Sequence, residues 1–485
     1  MDSIKDLQPN IVWKNFYSLT QIPRPSKHEE KVVAFIKKFG EDLGLETIVD
    51  EIGNVIIRKP ATPGYENRKC VILQAHIDMV PQKNSDKVHD FEKDPIITHI
   101  ENGWVKADGT TLGSDNGLGA SAAMAVLESK DLVHGPIEAL FTIDEETGMT
   151  GANQLKPGIM QGDILLNMDS ETEGELYVGC AGGIDTVGTF HTTKEDVPAE
   201  TTAYQIVVKG LKGGHSGMDI NLGRANANKV MNALLMMGYE NFGLRLATIN
   251  GGSLRNAIPR ESFAIVVVPN AKKNEFEAYV KEYETIVKEE FGDKEPDAAI
   301  YVEAASTPDF IIDAKSFCGL MTAVAQHPNG VIAMSKDFEG TTETSSNLAI
   351  VKSEGDTIML ASLQRSLVDA SKDKLAEQIR KVLTNAGAEA VSSGSYPGWK
   401  PNIDSPILNT MKAVYKQLFN KEAKIMVVHA GLECGILGSK YPNWDMMSFG
   451  PTLVHPHSPD EALNIESVGL FWQFLTETLK NVPEK

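Results

Sequence analysis

Short, almost continuously apolar runs alternate with stretches of helical period along most of this chain. Val32, Val33, Phe35, Ile36, Phe39 and Leu43 recur at helical spacing behind Ser26 and Glu29, an S-x-x-E capping box, and predict a helix starting near residue 27. The runs at 71–73, 137–143, 164–168 and 446–449 read as strands covered on both faces, separated by helical patterns such as 120–127. This alternation predicts an α/β domain with a mixed central sheet flanked by helices.

From about residue 186 the texture changes. Strands are expected at 204–208 and 262–268 and a charged helix at 274–291. The segment 300–390 has a similar order, with a helix at 314–326, a strand at 357–363 and a helix at 372–384, so it reads as a second copy of one α/β unit. The turn-rich SSGSYPGWKPN at 392–402 marks a boundary. The expected organisation is a catalytic domain built from 1–185 and 397–485, with an α+β domain of two similar units, 186–396, inserted between them.

Composition narrows the function. A chain of 485 residues suggests two or three domains, and 42% hydrophobic with 23% charged residues is ordinary for a packed protein. A net charge of −20 argues against a phosphate-binding surface, hence against nucleic acid as the main partner. MDSIKDLQPN lacks the basic start and apolar run of a secretory signal, and no apolar stretch approaches the ~20 residues that span a bilayer. Cytoplasmic residence without a membrane partner is expected. Cys70, Cys180, Cys318 and Cys434 form no C-x-x-C pair, so neither a disulfide scaffold nor a zinc knuckle is encoded.

The chemistry-bearing residues stand where buried strands end. His76 and Asp78 follow VILQA, Glu145 and Glu146 follow IEALFTID, and Asp169 follows ILLNM. Asp115 lies in the glycine-rich TLGSDNGLG that opens a helix, and His457 lies in VHPHSPDE after the strand DMMSF. In open α/β sheets ligands bind outside the carboxyl ends of strands, so one crevice could gather them all. Two imidazoles and three carboxylates suit two zinc-like ions sharing one carboxylate, and the N/O set also suits cobalt or manganese. Asp78 would then orient the His76 imidazole, and Glu145 beside Glu146 would take a proton from a metal-bound water. Taken singly, each residue reads better as a cap or a surface group than as a ligand, and Asp144 reads as surface acid. The case rests on their joint placement.

The strings LQAHIDMVPQ, TTLGSDNGLGAS, IDEETGMTGA, LNMDSETEGE, LKGGHSGMDI, LRNAIPRE and HAGLECG with PHSPDE resemble the motifs of the bacterial aminoacyl-histidine dipeptidases (peptidase D). These form a group within the dinuclear zinc peptidases and amidohydrolases, with carnosinase, peptidase V and peptidase T. The resemblance runs in order from the first helix almost to the end of the chain. It implies one ion on His76 and Asp169, the other on Glu146 and His457, Asp115 bridging, Glu145 as general base and Asp78 as orienting carboxylate. It further implies that the inserted domain is a lid whose His215 stabilises the oxyanion and whose Asn256 reaches the substrate. The strand IVVVPN lacks the arginine many relatives carry there, and Arg365 in SLQRS is the expected substitute, against a reading as a surface arginine on a strand edge. VHPHSPDE departs from the usual Gly-Pro before the histidine, which makes His455 a rival ligand; His457 is preferred because it alone precedes SPDE.

The implied activity is hydrolysis of dipeptides, Xaa-His and β-Ala-His among them, with two divalent ions as cofactor and a homodimer as assembly. An N-acyl amino acid amidohydrolase of the same family, a non-catalytic peptide-binding module and a dinuclear phosphoesterase are the competing readings. The last is disfavoured because phosphoryl transfer needs cationic clamps where this chain offers a Glu-Glu pair.

Overall fold

The computed structural model describes residues 3–485. They form two compact units, one running to Cys180 and resuming over Trp399–Val427 and Leu432–Lys485, the other comprising Ala181–Gly398 and Val428–Gly431.

The first unit is built on an eight-stranded mixed sheet in the order Glu46–Val49, Val55–Lys59, Ile137–Thr142, Val71–His76, Ile164–Asn167, Asp445–Ser448, Glu175–Cys180, Lys424–Val428. Its centre is parallel: Val71–His76 runs parallel to both Ile137–Thr142 and Ile164–Asn167, and the latter to Asp445–Ser448. Every residue of the first three central strands is buried, which is why they read as unbroken apolar runs. Because they are parallel, their carboxyl ends, which lead to His76, Glu145 and Asp169, share one edge.

The helix Ser114–Glu128 is buried along almost its whole length. Its sequence explains the close fit: a Cβ at Gly119 would stand 2.7 Å from the Met168 carbonyl oxygen, so only glycine is accommodated. A small four-stranded sheet pairs Leu453–Val454 with Ala462–Asn464, and the loop between these strands carries His457.

The helix expected from residue 27 differs from its prediction. It follows the helix Asn10–Thr20 and spans Glu30–Asp42, and the side chains of Ser26 and Glu29 do not cap it. The Ser26 hydroxyl donates instead to Asp78 Oδ2 at 2.8 Å, and the Glu29 carboxylate accepts the N–H groups of Lys27 and Asp144 at 2.8 and 3.1 Å. The two side chains bind functional loops rather than their own helix.

The second unit contains an antiparallel sheet that repeats one βαββαβ order twice. Strands Thr201–Lys209, Arg245–Gly251, Ser262–Pro269 and Ala299–Ala304, with helices Ala227–Phe242 and Lys273–Phe291, form one copy. Strands Gly182–His191, Thr342–Glu354, Thr357–Ser366 and Glu389–Tyr396, with helices Ala314–Gln326 and Asp369–Asn385, form the other. In both copies the spatial strand order is second, third, first, fourth, and the copies meet where Asn250 and Gly251 pair with Lys352 and Val351. The second copy therefore begins with the strand at Gly182 rather than near residue 300, and the first copy is nested inside it. That strand pairs from Gly182 onward with Ser366, and Ala181 N–H donates to the carbonyls of Val428 and Ala430 at 3.0 and 3.1 Å. These contacts set the unit boundaries outside 186–396 and add the short segment Val428–Gly431.

His327 is buried at the end of helix Ala314–Gln326, and burial pushes its imidazole down to about 4. It is neutral in the fold, whereas the unfolded chain takes up a proton below about pH 6.5. Its contribution is therefore fully present above that pH and is lost as the pH falls through about 4. The melting temperature should fall on acidification between pH 7 and 4.5, and by less in His327→Gln, which has no proton to take up. An equal fall in both proteins would show that His327 carries none of the acid sensitivity.

Candidate metal centre

His76 ends its strand, Asp169 stands two residues beyond Ile164–Asn167, and Glu145 opens the short helix Glu145–Gly148. Asp115 follows Gly113, which takes a left-handed φ of 71°, and keeps an extended ψ of 111° before the helix regularises. His457 holds a left-handed φ of 60° in its loop. These turns aim donor atoms at one another. His76 Nε2 stands 3.0 Å from Asp115 Oδ1 and 3.5 Å from Asp169 Oδ1. His457 Nε2 stands 3.1 Å from Asp115 Oδ2 and 3.0 Å from Glu146 Oε2.

Two donor trios result, His76 with Asp115 and Asp169, and Asp115 with Glu146 and His457, each within 4.8 Å. They share Asp115 through different oxygens. Glu145 groups with His76 and Glu146 at the same range. His455, the rival ligand, is exposed and belongs to no such group among the described residues.

The electrostatics are those of a site with too many carboxylates. Burial and then Asp115 push Glu146 up to about 7, and burial pushes Asp169 up to about 6, with Asp115 adding to it. Burial lifts Glu171 to about 8, aided by Asp115 and Asp169, and holds Glu145 well above the carboxylate range. Hydrogen bonds to Asp115 and Glu146 raise His457 to about 11. Burial alone would lower His76, but Asp169, Asp115 and Asp78 outweigh it and hold it well above its ordinary value. In addition, Glu146 Oε1 is buried with no hydrogen-bond partner. Crowded carboxylates with an orphaned oxygen and two imidazoles fit divalent ions of mixed N/O preference.

Asp78 has both oxygens engaged. Oδ1 accepts the Glu145 N–H at 3.1 Å and stands 3.2 Å from His76 Nδ1; Oδ2 accepts the Glu146 N–H at 3.3 Å as well as the Ser26 hydroxyl. Burial opposes ionisation, yet His76 and these donors keep the carboxyl below its ordinary value.

His215, Asn256 and Arg365 belong to the second unit. His215 pairs with Ala257 across two short strands, and Ser216 N–H donates to the Asn256 carbonyl at 2.8 Å. His215 Nδ1 accepts the N–H groups of Gly217 and Met218 at 3.2 and 3.1 Å, which makes Nε2 the protonated nitrogen. Asn256 is exposed. Arg365 is buried in a strand with neighbours on both sides, and its Nη1 donates to the Tyr396 hydroxyl at 2.8 Å. A surface arginine on a strand edge is thereby ruled out.

Residues 72–481 match the peptidase family M20/M25/M40. The chain belongs to this family. It is 46% identical over 485 residues to the cytosol non-specific dipeptidase of Escherichia coli K12, with both chains covered in full. The crystal structure of aminoacylhistidine dipeptidase from Vibrio alginolyticus superposes with a TM-score of 0.88 at 46% identity, covering 100% of this chain and 99% of that one. The aminopeptidase PepT of Bacillus cereus shares the fold, with a TM-score of 0.57 at 14% identity over 98% of this chain and 99% of that one. No helix among the described residues is long and apolar enough to cross a membrane.

Several supporting groups within each unit have no signature in residue type. Arg24 is buried, and its guanidinium donates to the carbonyls of Ile77, Asp78 and Gly113 at 3.0, 2.9 and 2.5 Å. It thereby ties the His76–Asp78 segment to the loop that delivers Asp115. Glu433 is buried and accepts from Gln74 Nε2 at 2.6 Å and the Thr142 hydroxyl at 2.8 Å, bracing two of the strand ends. Asp144 is a correction: it is buried, at a left-handed φ of 49°, with the hydroxyls of Thr147 and Thr150 donating to its carboxylate. It shapes the turn that presents Glu145 instead of facing solvent. In the second unit, His429 meets the Ser345 hydroxyl at 2.7 Å, and Asn347 Nδ2 donates to the carbonyls of Arg255 and Ala257 on either side of Asn256, at 3.1 and 2.7 Å. The proline-flanked IPRPS around Arg24 and HAGLEC around His429 and Glu433 are the only sequence hints of these groups.

Proposed function

We propose that this chain hydrolyses the peptide bond of free dipeptides, Xaa-His and β-Ala-His included, with two divalent ions and Glu145 as general base. The observation that carries the reading is the pair of donor trios sharing Asp115, with Glu145 alongside, in a chain similar from end to end to a dipeptidase. His76, Asp115 and Asp169 would hold one ion and Asp115, Glu146 and His457 the other; bound there, zinc, cobalt or manganese lowers the pKa of water and polarises the scissile carbonyl.

The chain supplies the remaining work. The Glu145 carboxylate accepts the proton of the attacking water and passes it to the leaving amine. Asp78 holds the His76 ring by Nδ1, so that Nε2 keeps a lone pair for coordination. His215, fixed in the Nε2–H tautomer, donates to the oxygen on which charge develops. Asn256 contacts the substrate, and Arg365 binds its terminal carboxylate, a planar partner for a guanidinium anchored on one side by Tyr396.

A panel of free dipeptides and their N-acetyl analogues tests the substrate class. The free dipeptides should exceed the acetylated ones at least tenfold in kcat/KM. The reverse preference would move the chain to the N-acyl amino acid amidohydrolases.

Arg365→Ala should lower kcat/KM for free dipeptides by roughly 10- to 100-fold, the worth of a charge-assisted hydrogen-bonded pair. The loss should shrink for C-terminally amidated dipeptides, which never made the pair. Equal losses on both substrates would place the carboxylate elsewhere.

A further inference from the structure

We infer that Glu461 is the positioning residue for the shared carboxylate Asp115, an inference that rests on the two-ion reading above. The helix Ser114–Glu128 starts with N–H groups that have no partner inside the helix, and its N-cap residue, Gly113, brings no side chain to cap them. The cap comes from far along the chain. Glu461 Oε2 accepts the N–H groups of Leu112 and Gly113 at 2.8 and 3.0 Å. Its Oε1 accepts the Ser114 N–H at 2.8 Å, the Ser114 hydroxyl at 2.6 Å and the Asp115 N–H at 3.4 Å.

Successive N–H groups converge on one anion where a left-handed residue folds them into a concave nest, which Gly113 provides at φ 71°. Glu461 is only 2% exposed, and the helix N-terminus compensates its charge. Every donor it engages lies in the segment that ends in Asp115, and Arg24 holds the same segment by the Gly113 carbonyl. Glu461 also sits in the loop that carries His457, four residues earlier. One carboxylate thus fastens the shared donor of both trios to the loop of a second donor.

Zinc titration of the metal-stripped protein, with melting curves of the stripped forms, decides the matter. Glu461→Gln keeps the side chain's size but turns an amide group toward backbone N–H donors. It should weaken both zinc equivalents by roughly 10- to 100-fold, the usual scale for a group that supports a ligand. Glu461→Asp retains the charge on a shorter stem and should weaken both in the same direction, by less. Asn464→Ala is the control for stability, because Asn464 caps helix Ile465–Lys480 by accepting the Ser467 N–H at 2.9 Å and touches no donor of the trios. It should lower the melting temperature yet bind zinc as the wild type does.

Wild-type zinc affinity in Glu461→Gln would overturn the inference, and so would an equal loss of affinity in Asn464→Ala. Should Glu461→Gln fail to fold, Glu461→Asp decides, and wild-type affinity there overturns it. The wild-type arm separates the two levels of the argument: a wild-type chain that takes up no zinc overturns the two-ion reading itself.

Discussion

Glu145→Gln should lower kcat by roughly 100- to 10,000-fold, the range for removing a general base, while two ions stay bound. The split follows from the geometry. Glu145 is grouped with His76 and Glu146 but lies outside the two trios that share Asp115. Its amide counterpart is nearly the same size, so the ligand set should persist while the proton acceptor is lost. Glu146→Gln provides the contrast, because Glu146 belongs to the trio with Asp115 and His457 and its loss should empty one position. Metal content and kcat measured on both variants check this division. Equal loss of metal from both would mean that the roles within the Glu-Glu pair are wrongly assigned.

Asp115→Ala should be more damaging still. One Asp115 oxygen faces His76 and the other faces His457, so the substitution removes a donor from both trios at once. It also removes the shared carboxylate that a bridge requires. Zinc affinity at both positions should fall more than about 100-fold, beyond the effect of a supporting residue, and dipeptide hydrolysis should drop below detection. Retention of two ions by this variant would show that the bridge is made by another group.

Much of the site was legible because its residues follow the features that pattern reveals best. His76, Glu145 and Asp169 come just after runs buried on both faces, and parallel pairing puts such strand ends on one edge. His457 was preferred to His455 only with the help of motif resemblance, since the loop between Leu453–Val454 and Ala462–Asn464 brings it in from far along the chain. What stayed hidden was held through the backbone. Arg24 binds carbonyls and Glu461 binds amides, and neither kind of partner leaves a mark in residue type.

The misreadings have physical causes as well. Ser26 and Glu29 have the spacing of a capping box, but Asp78 and the backbone of Lys27 and Asp144 compete for them and win. Asp144 beside two glutamates looks like surface acid until two threonine hydroxyls close on it. The repeat in the second unit was blurred because its outer copy is interrupted after Gly182–His191 by the whole inner copy, which removes any continuous period. The competing reading of Arg365 as a surface arginine fails because Thr357–Ser366 lies inside the sheet and buries it.

The most direct measurement is the metal content of the purified chain, taken together with hydrolysis of a free dipeptide before chelation, after it, and after zinc is restored. Two equivalents of divalent ion per chain, with activity that disappears on chelation and returns with zinc, is the expected result. Undiminished hydrolysis by the metal-free chain, or a chain that binds no divalent ion, would contradict the two-ion account.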